Sequence, residues 1–277
     1  MLGKLIKYEM RACARYFIPI FIAILLVFAG NGFTLKNFGN SDGDLFSVIM
    51  MVLLIAIISI FIFLSLYVTV KRFASSVFGD EGYLTNTLPV NTTQIIFSKA
   101  ITIVIYSFIS GLVFLVATML LILPNMTSVA MFNIREGILN IFKLFNQSNF
   151  NIPLFTAEII VGSILSSFLS VFSIYLSVAV AHMKQCINHK YIYGFITYFV
   201  FTLATNTLVS RISDLVINKD MLSTSIVVGR NDVVEALNIA STYFNRLFTV
   251  SIVLTLILTI IAAIITNYIL NRHLNVE

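Results

Sequence analysis

The chain has 277 residues, of which 59% are hydrophobic and 10% are charged, and its formal net charge is +5. A soluble domain carries about 25% charged residues, so this composition excludes an ordinary soluble protein. The basic residues are spread along the whole chain rather than gathered in one patch, which disfavours a nucleic-acid-binding protein.

Six segments run for at least twenty residues without Asp, Glu, Lys or Arg. A helix needs about 20 apolar residues to cross a hydrocarbon core that is about 30 Å thick. The sequence therefore predicts an all-α integral membrane protein, one membrane domain over residues 1–277, with six transmembrane helices. The charge-free segments are 16–35, 45–70, 100–134, 159–183, 191–210 and 247–271.

Residues 1–15, ahead of the first span, have the spacing of an amphipathic helix. This pattern predicts a helix lying in the membrane interface, with its basic side toward anionic headgroups. A basic tail that only sets the orientation of the chain is the alternative. The apolar side carries Leu2, Leu5, Ile6, Met10 and Cys13, and the opposite side carries Lys4, Lys7, Arg11 and Arg15.

The distribution of basic residues orients the six spans. Short cytoplasmic segments carry an excess of Lys and Arg, which places the amino terminus in the cytoplasm. Threading six helices from there predicts that both termini are cytoplasmic. Ten of the 17 basic residues then lie inside, including Lys71, Arg72 and Lys99, and seven lie outside.

Two segments on the predicted outer side have helical features. In 125–153, apolar residues from Met131 to Phe145 recur at helical spacing, which predicts a short amphipathic helix on the membrane surface. In 211–246, Asp232 and Glu235 have the spacing of a capping box, which predicts a second short helix before the last span.

The sequence lacks the residue sets that membrane enzymes and nucleotide-binding proteins need. No Gly-x4-Gly-Lys-Ser/Thr loop occurs, so the chain cannot cradle a nucleotide in the P-loop manner. His182, Cys186 and His189 have part of a zinc spacing, but a fourth ligand is missing, and we predict no metal site. Glu158 and His182 lie near the ends of the fourth span rather than at its middle. We therefore predict that the chain is not an enzyme.

The fourth span carries a row of serines at spacings of three and four, which places them on one helix face. Small hydroxyl residues favour close helix packing, so a packing face is the simpler interpretation. The alternative is that the row lines a substrate pathway, with polar residues of the fifth span such as Asn206 opposite. The serines are Ser163, Ser166, Ser167, Ser170, Ser173 and Ser177.

The predicted cytoplasmic connection 71–99, between the second and third spans, differs from the other loops. It places aromatic and aliphatic side chains beside acidic ones, which indicates a surface that binds a partner protein. Its distinctive steps are Gly79-Asp80-Glu81-Gly82-Tyr83-Leu84-Thr85, Thr87-Leu88-Pro89-Val90 and Ser98-Lys99.

This connection resembles the corresponding loop of ABC type-2 permeases, the membrane subunits of bacterial ABC exporters. The layout of six spans and the ending from Thr266 to Asn275 are also similar to that family, although Asn271 and His273 stand where lysine is common. The resemblance implies a permease in the bacterial cytoplasmic membrane, working with a second permease chain and two cytoplasmic ATPase subunits. It also implies that ATP and Mg are bound by the ATPase, with no cofactor on this chain.

The resemblance further implies that the connection carries a coupling helix that docks on the ATPase. The residues implied in docking are Phe78, Gly79, Asp80, Glu81, Tyr83, Leu84, Leu88 and Pro89. The implied cargo is amphipathic: a peptide antibiotic, a lipid or a drug. The alternative is a membrane sensor or immunity protein that binds a peptide or partner without transporting it.

Overall fold

The computed structural model describes residues 2–38, 45–78, 92–147, 151–183, 189–216 and 233–273. Within these ranges every element is a helix and no strand occurs, which confirms the predicted all-α class. The helices are α1 (Leu2–Phe38), α2 (Leu45–Val77), α3 (Thr92–Ile122), α4 (Ser128–Gln147), α5 (Ile152–Ala181), α6 (Lys190–Val216) and α7 (Val233–His273), with a 3₁₀ turn at Leu123–Asn125.

Six of the seven α-helices in the described ranges are long and apolar enough to cross a membrane, and only α4 is not among them. The chain is therefore a multi-pass membrane protein, as the charge-free segments predicted. Five of these six helices begin before their charge-free segments, and α1, for example, has 37 residues. The reason is that a charged side chain marks where the membrane ends and does not end a helix.

The predicted interfacial helix at residues 2–15 is helical, but it is not a separate element. It continues into the first span as part of α1. On its apolar side Cys13 is buried in the core of the first unit and the other apolar residues are partly buried, whereas Lys4, Lys7, Arg11 and Arg15 are exposed. An amphipathic pattern shows that one face is buried without showing whether lipid or protein covers it. The structure thus gives the prediction of an in-plane helix no support.

The chain divides into two compact units. The first contains residues Met1–Ser128 with Leu270–Glu277, and the second contains Val129–Ile269. In the first unit, α1 packs along both α2 and α3, whereas α2 and α3 touch each other only sparsely. Helix α1 is therefore the element that joins the other two.

Aromatic rings form much of the core of the first unit. Phe17 of α1 stacks on Tyr106 of α3, with ring centroids 4.8 Å apart. Phe61 of α2 contacts Phe114 of α3 edge-on, at 5.0 Å between centroids. Two further rings of α1 join this group: Phe21 contacts Phe61, and Phe28 contacts Phe114. Large rings of this kind bury much apolar area and fix the relative positions of the three helices.

Far along α1, at Gly32, the backbones of α1 and α3 approach closely. A Cβ atom at Gly32 would lie 2.5 Å from the backbone oxygen of Leu120, so only glycine fits here. The Nδ2 atom of Asn125, in the 3₁₀ turn after α3, donates a hydrogen bond to the Gly32 oxygen at 3.1 Å. The missing side chain thus permits both the packing and this hydrogen bond.

The second unit contains α4, α5, α6 and α7 as far as Ile269. Helices α5 and α6 pack together, and a Cβ at Gly194 of α6 would lie 3.3 Å from the Ala181 Cβ at the end of α5. Helix α7 contacts α5 through Phe248, whose ring centroid is 5.4 Å from that of Phe155.

The predicted outer segments contain helices with bounds of their own. In 125–153, α4 is a helix of 20 residues whose apolar side chains are largely exposed. In 211–246, the helix predicted around residue 233 is the beginning of α7, which runs without a break to His273. Asp232, the first residue of the predicted capping box, lies outside the described residues.

Candidate functional site

The predicted partner-binding connection is shorter than its sequence limits of 71–99. Helix α2 extends to Val77 and α3 begins at Thr92, so helix enters the connection from both ends. The limits 71 and 99 had been set by basic residues. Basic residues mark the membrane boundary and do not end a helix, as was also seen at α1. The connecting segment, defined from here on as residues 79–91, lies outside the described residues.

Of the residues implied in docking, only Phe78 belongs to the described part of the chain. It is half-buried, and its backbone N–H donates a hydrogen bond to the Ala74 oxygen at 2.9 Å. Its ring contacts Phe73 edge-on, with centroids 6.4 Å apart, and Phe73 is fully buried. Phe78 therefore closes the last turn of α2. Gly79, Asp80, Glu81, Tyr83, Leu84, Leu88 and Pro89 all lie outside the described residues.

A cluster of three charged side chains joins α1, α2 and α3 near the end of α2 and the beginning of α3. We call Glu9, Arg72 and Lys99 the charged cluster. Arg72 Nη2 donates to Glu9 Oε2 at 2.8 Å, and Lys99 Nζ donates to the other carboxylate oxygen, Oε1. One carboxylate on α1 thus pairs with a cation on α2 and a cation on α3. It joins all three helices of the first unit at one end.

The charged cluster is largely withdrawn from solvent. The side chain of Lys99 is only 4% exposed, and those of Glu9 and Arg72 are 17% and 23% exposed. A buried charge is costly unless it is paired and hydrogen-bonded, so each ion here depends on the others. Within the cluster, the one negative charge of Glu9 is shared by two positive charges.

A second set of contacts fastens α1 to α3 beside the charged cluster. The Tyr106 hydroxyl donates to the Met10 backbone oxygen at 2.9 Å, while its ring stacks on Phe17. Cys13 is a free cysteine, buried to 1% exposure, and lies beside Arg72. The amino-terminal part of α1 is therefore held on α3 by a polar contact and by close packing.

Sequence reasoning did not single out Glu9, although the sequence contains a signal for it. Glu9 is the sole acidic residue before Asp42, and at helical spacing it falls among the apolar residues that include Ile6 and Cys13. An acidic residue within an apolar face requires a cationic partner. Arg72 and Lys99 were noted only as residues that orient the chain. The structure brings them to the same end of the first unit as the beginning of α1.

The hydroxyl groups of the serine row on α5 form hydrogen bonds within that helix. Each of the six hydroxyls donates to a carbonyl oxygen three or four residues earlier, at 2.7 to 3.0 Å. Ser173 and Ser177 are buried, whereas Ser166 and Ser170 are exposed. The carboxyl-terminal part of the row therefore packs against the protein, and the part around Ser166 does not.

On α6, the polar side chains lie in mixed surroundings. Asn206 is exposed and Thr205 is buried, and the Thr205 hydroxyl donates to the Thr202 oxygen at 3.0 Å. At the end of α5, His182 Nδ1 lies 2.8 Å from the Val178 oxygen. Cys186 falls outside the described residues. Among the residues that are described, no three His, Cys, Asp or Glu side chains are placed to hold a metal ion.

No protein-family model, no curated protein and no solved structure matches this chain.

Proposed function

We propose that this chain is the permease subunit of an ATP-driven exporter in a bacterial cytoplasmic membrane. It forms a translocation pathway with a second permease chain, either a copy or a relative. Two cytoplasmic ATPase subunits bind ATP and Mg and supply the energy. The proposal rests mainly on one observation: the sequence from Gly79 to Pro89, with its acidic, aromatic and proline steps, stands between the second and third apolar helices.

The surroundings of the connecting segment support a docking role. Its acidic and apolar residues, among them Asp80, Glu81 and Tyr83, suit a protein surface better than a plain link between two spans. The helices that it joins are both fixed to α1 through Glu9. A docking segment needs fixed ends, because force applied to a loosely held segment would move the segment alone and leave the spans in place.

The proposed cargo is amphipathic: a peptide antibiotic, a lipid or a drug. Charged residues inside a membrane usually mark ion or proton pathways, and the six apolar segments contain none. The exposed serines of α5, Ser166 and Ser170, and the exposed Asn206 of α6 are the polar side chains that we assign to the pathway. Ser173 and Ser177 are assigned to helix packing, because they are buried.

Co-purification tests the proposal. The tagged chain is isolated from native membranes in mild detergent, and the eluate is assayed for ATP hydrolysis. Wild type is compared with the double variant Asp80→Lys/Glu81→Lys. The matched control is Glu136→Lys, which reverses an exposed charge on α4. We expect a P-loop ATPase to elute with wild type and with the control, and to be lost from the double variant.

Each other result has a definite meaning. If an ATPase elutes with all three proteins, the exporter proposal stands, but the docking surface does not include Asp80 and Glu81. No ATPase with any of the three folded proteins rejects the exporter and favours a sensor or immunity protein.

A further inference from the structure

Helix α4 is not a membrane span, yet the described part of the chain leaves most of its large apolar side chains uncovered. It is not among the six helices that can cross a membrane, and it makes at most marginal contact with the other described helices. Large apolar side chains along its length are nevertheless exposed. Soluble surfaces rarely leave so many of them side by side in water, so another apolar material must cover them.

Five of these side chains lie on one side of α4, because their positions follow the helical period. Each of the five is between 45% and 55% exposed. We call them the apolar arc: Met131, Ile134, Ile138, Ile141 and Phe142. The opposite side of the helix carries exposed polar residues, which are Asn133, Glu136, Asn140 and Lys143. A helix divided in this way suits a boundary between an apolar phase and water.

The beginning of α4 is held close to a membrane surface. From Lys99, the last charged residue of α3, to Ile122 the helix rises about 35 Å, which is enough to cross a hydrocarbon core of about 30 Å. The 3₁₀ turn that follows is fastened to α1, because Asn125 Nδ2 donates to the Gly32 oxygen at 3.1 Å. Helix α4 begins at Ser128, and the three intervening steps of the chain reach at most about 11 Å.

The other end of α4 is also tied to a span by a short piece of chain. Helix α4 ends at Gln147, and α5 begins five positions later at Ile152. Five steps of the chain reach at most about 18 Å. Phospholipid is therefore the apolar phase that lies within reach of both ends of α4, and no second protein has to be brought to it.

We infer that α4 is a lipid-binding helix, which lies along the membrane surface at which α3 ends and places its apolar arc in the acyl region of one phospholipid leaflet. Periodicity in the sequence shows only that α4 has an apolar side. The exposure of that side and the two short tethers are what favour lipid over protein as its cover. The inference involves neither an ATPase nor a cargo, so it stands apart from the proposed function.

Apolar contact, rather than headgroup charge, holds α4 on the lipid. The helix contains two positive charges, Arg135 and Lys143, and one negative charge, Glu136, so its net charge is only +1. Such a small charge gives little attraction to anionic headgroups. The apolar arc, in contrast, removes five large side chains from water. Helix α4 should therefore insert equally well into zwitterionic and anionic lipid.

Tryptophan fluorescence tests the inference, because the chain contains no tryptophan and a single introduced one reports on one position. The full chain is placed at one copy per nanodisc, in phospholipid with or without bromine on its acyl chains, which quenches tryptophan on contact. Phe142→Trp puts the probe in the apolar arc, and Asn140→Trp puts it on the opposite side of the same turn. Phe63→Trp is the control for lipid contact, because Phe63 lies on the span α2 and is 74% exposed.

We expect bromination to quench Phe142→Trp at least about twofold more strongly than Asn140→Trp, with Phe63→Trp quenched as well. The result should be the same in zwitterionic phosphatidylcholine and in anionic phosphatidylglycerol. If Phe142→Trp does not fold, Met131→Trp and Asn133→Trp give the same comparison nearer the beginning of α4.

Four results would overturn the inference, each judged against quenching of Phe63→Trp. A blue-shifted but unquenched Phe142→Trp would show that protein, such as a second copy of the chain, covers the apolar arc. Water-like emission without quenching would show that α4 stands clear of the membrane. Equal quenching of Phe142→Trp and Asn140→Trp would show that no side of the helix faces water. Quenching in anionic lipid alone would show that headgroup charge, and not apolar contact, holds the helix.

Discussion

Arg72 Nη2 lies 2.8 Å from Glu9 Oε2, although the two residues are 63 positions apart in the chain. The contact ties the end of α2 to the beginning of α1, and Lys99 completes it from α3. In a unit whose helices meet mainly through apolar and aromatic side chains, these charges favour one particular alignment. Ion pairs are directional, whereas apolar contacts allow helices to slide.

Removing the shared carboxylate should destabilise the protein more than removing one of its cations. Glu9→Gln removes the carboxylate that Arg72 and Lys99 both contact, and we expect it to lower the free energy of unfolding by about 2–4 kcal/mol. Lys99→Met leaves the pair of Arg72 and Glu9 intact and replaces a buried ammonium group by an apolar group. It should cost less than half as much.

The free energies of unfolding of the two variants are compared by denaturant titration of the purified proteins in detergent, monitored by circular dichroism. A Lys99→Met protein that is as unstable as Glu9→Gln, or more so, would contradict the central position given to Glu9.

Long charge-free segments predicted the number and approximate places of the spans, because membrane thickness sets a minimum length that few other structures need. They could not predict that residues 2–15 continue into α1, since periodicity does not distinguish a lipid surface from a protein surface. The pairing of Glu9 with Arg72 and Lys99 depends on which helices become neighbours. The sequence indicates that Glu9 needs a cationic partner, but only the folded structure shows which residues provide it.

A substitution at Gly32 should test the close approach of α1 and α3. A Cβ there would lie 2.5 Å from the Leu120 oxygen, so Gly32→Ala must push the two backbones apart. We expect a loss of about 1–3 kcal/mol in the free energy of unfolding, as for other overpacked sites. Gly30→Ala is the matched control, because nothing lies within 4 Å of its Cβ position.

In a helix interior alanine is favoured over glycine by up to about 1 kcal/mol, so Gly30→Ala should be neutral or stabilising. The same denaturation series measures both variants. Equal stability of Gly32→Ala and Gly30→Ala would show that the helices do not approach as closely as described.

The serine row gives a prediction that separates packing from pathway lining. Ser177 is 5% exposed, so Ser177→Leu should overpack α5 and lower the free energy of unfolding by about 1–3 kcal/mol. Ser166 is exposed, and Ser166→Leu should change stability by less than about 0.5 kcal/mol. Thermal unfolding in detergent compares the two.

If Ser166 lines the proposed pathway, Ser166→Leu should also reduce ATP-driven uptake of a lipophilic peptide probe into inverted vesicles, despite normal stability. Full uptake by a stable Ser166→Leu protein would exclude Ser166 from the proposed pathway.

Site-specific photo-cross-linking in native membranes tests most directly whether the connecting segment binds an ATPase. A photoreactive phenylalanine analogue replaces Tyr83 in the segment, and in a control protein it replaces Phe132, an exposed residue of α4. Cross-linked products are identified by mass spectrometry.

We expect position 83 to capture a protein that contains a Gly-x4-Gly-Lys-Ser/Thr loop and binds ATP, and position 132 not to capture it. Capture of lipid alone at position 83, or of only proteins without that loop, would contradict the account.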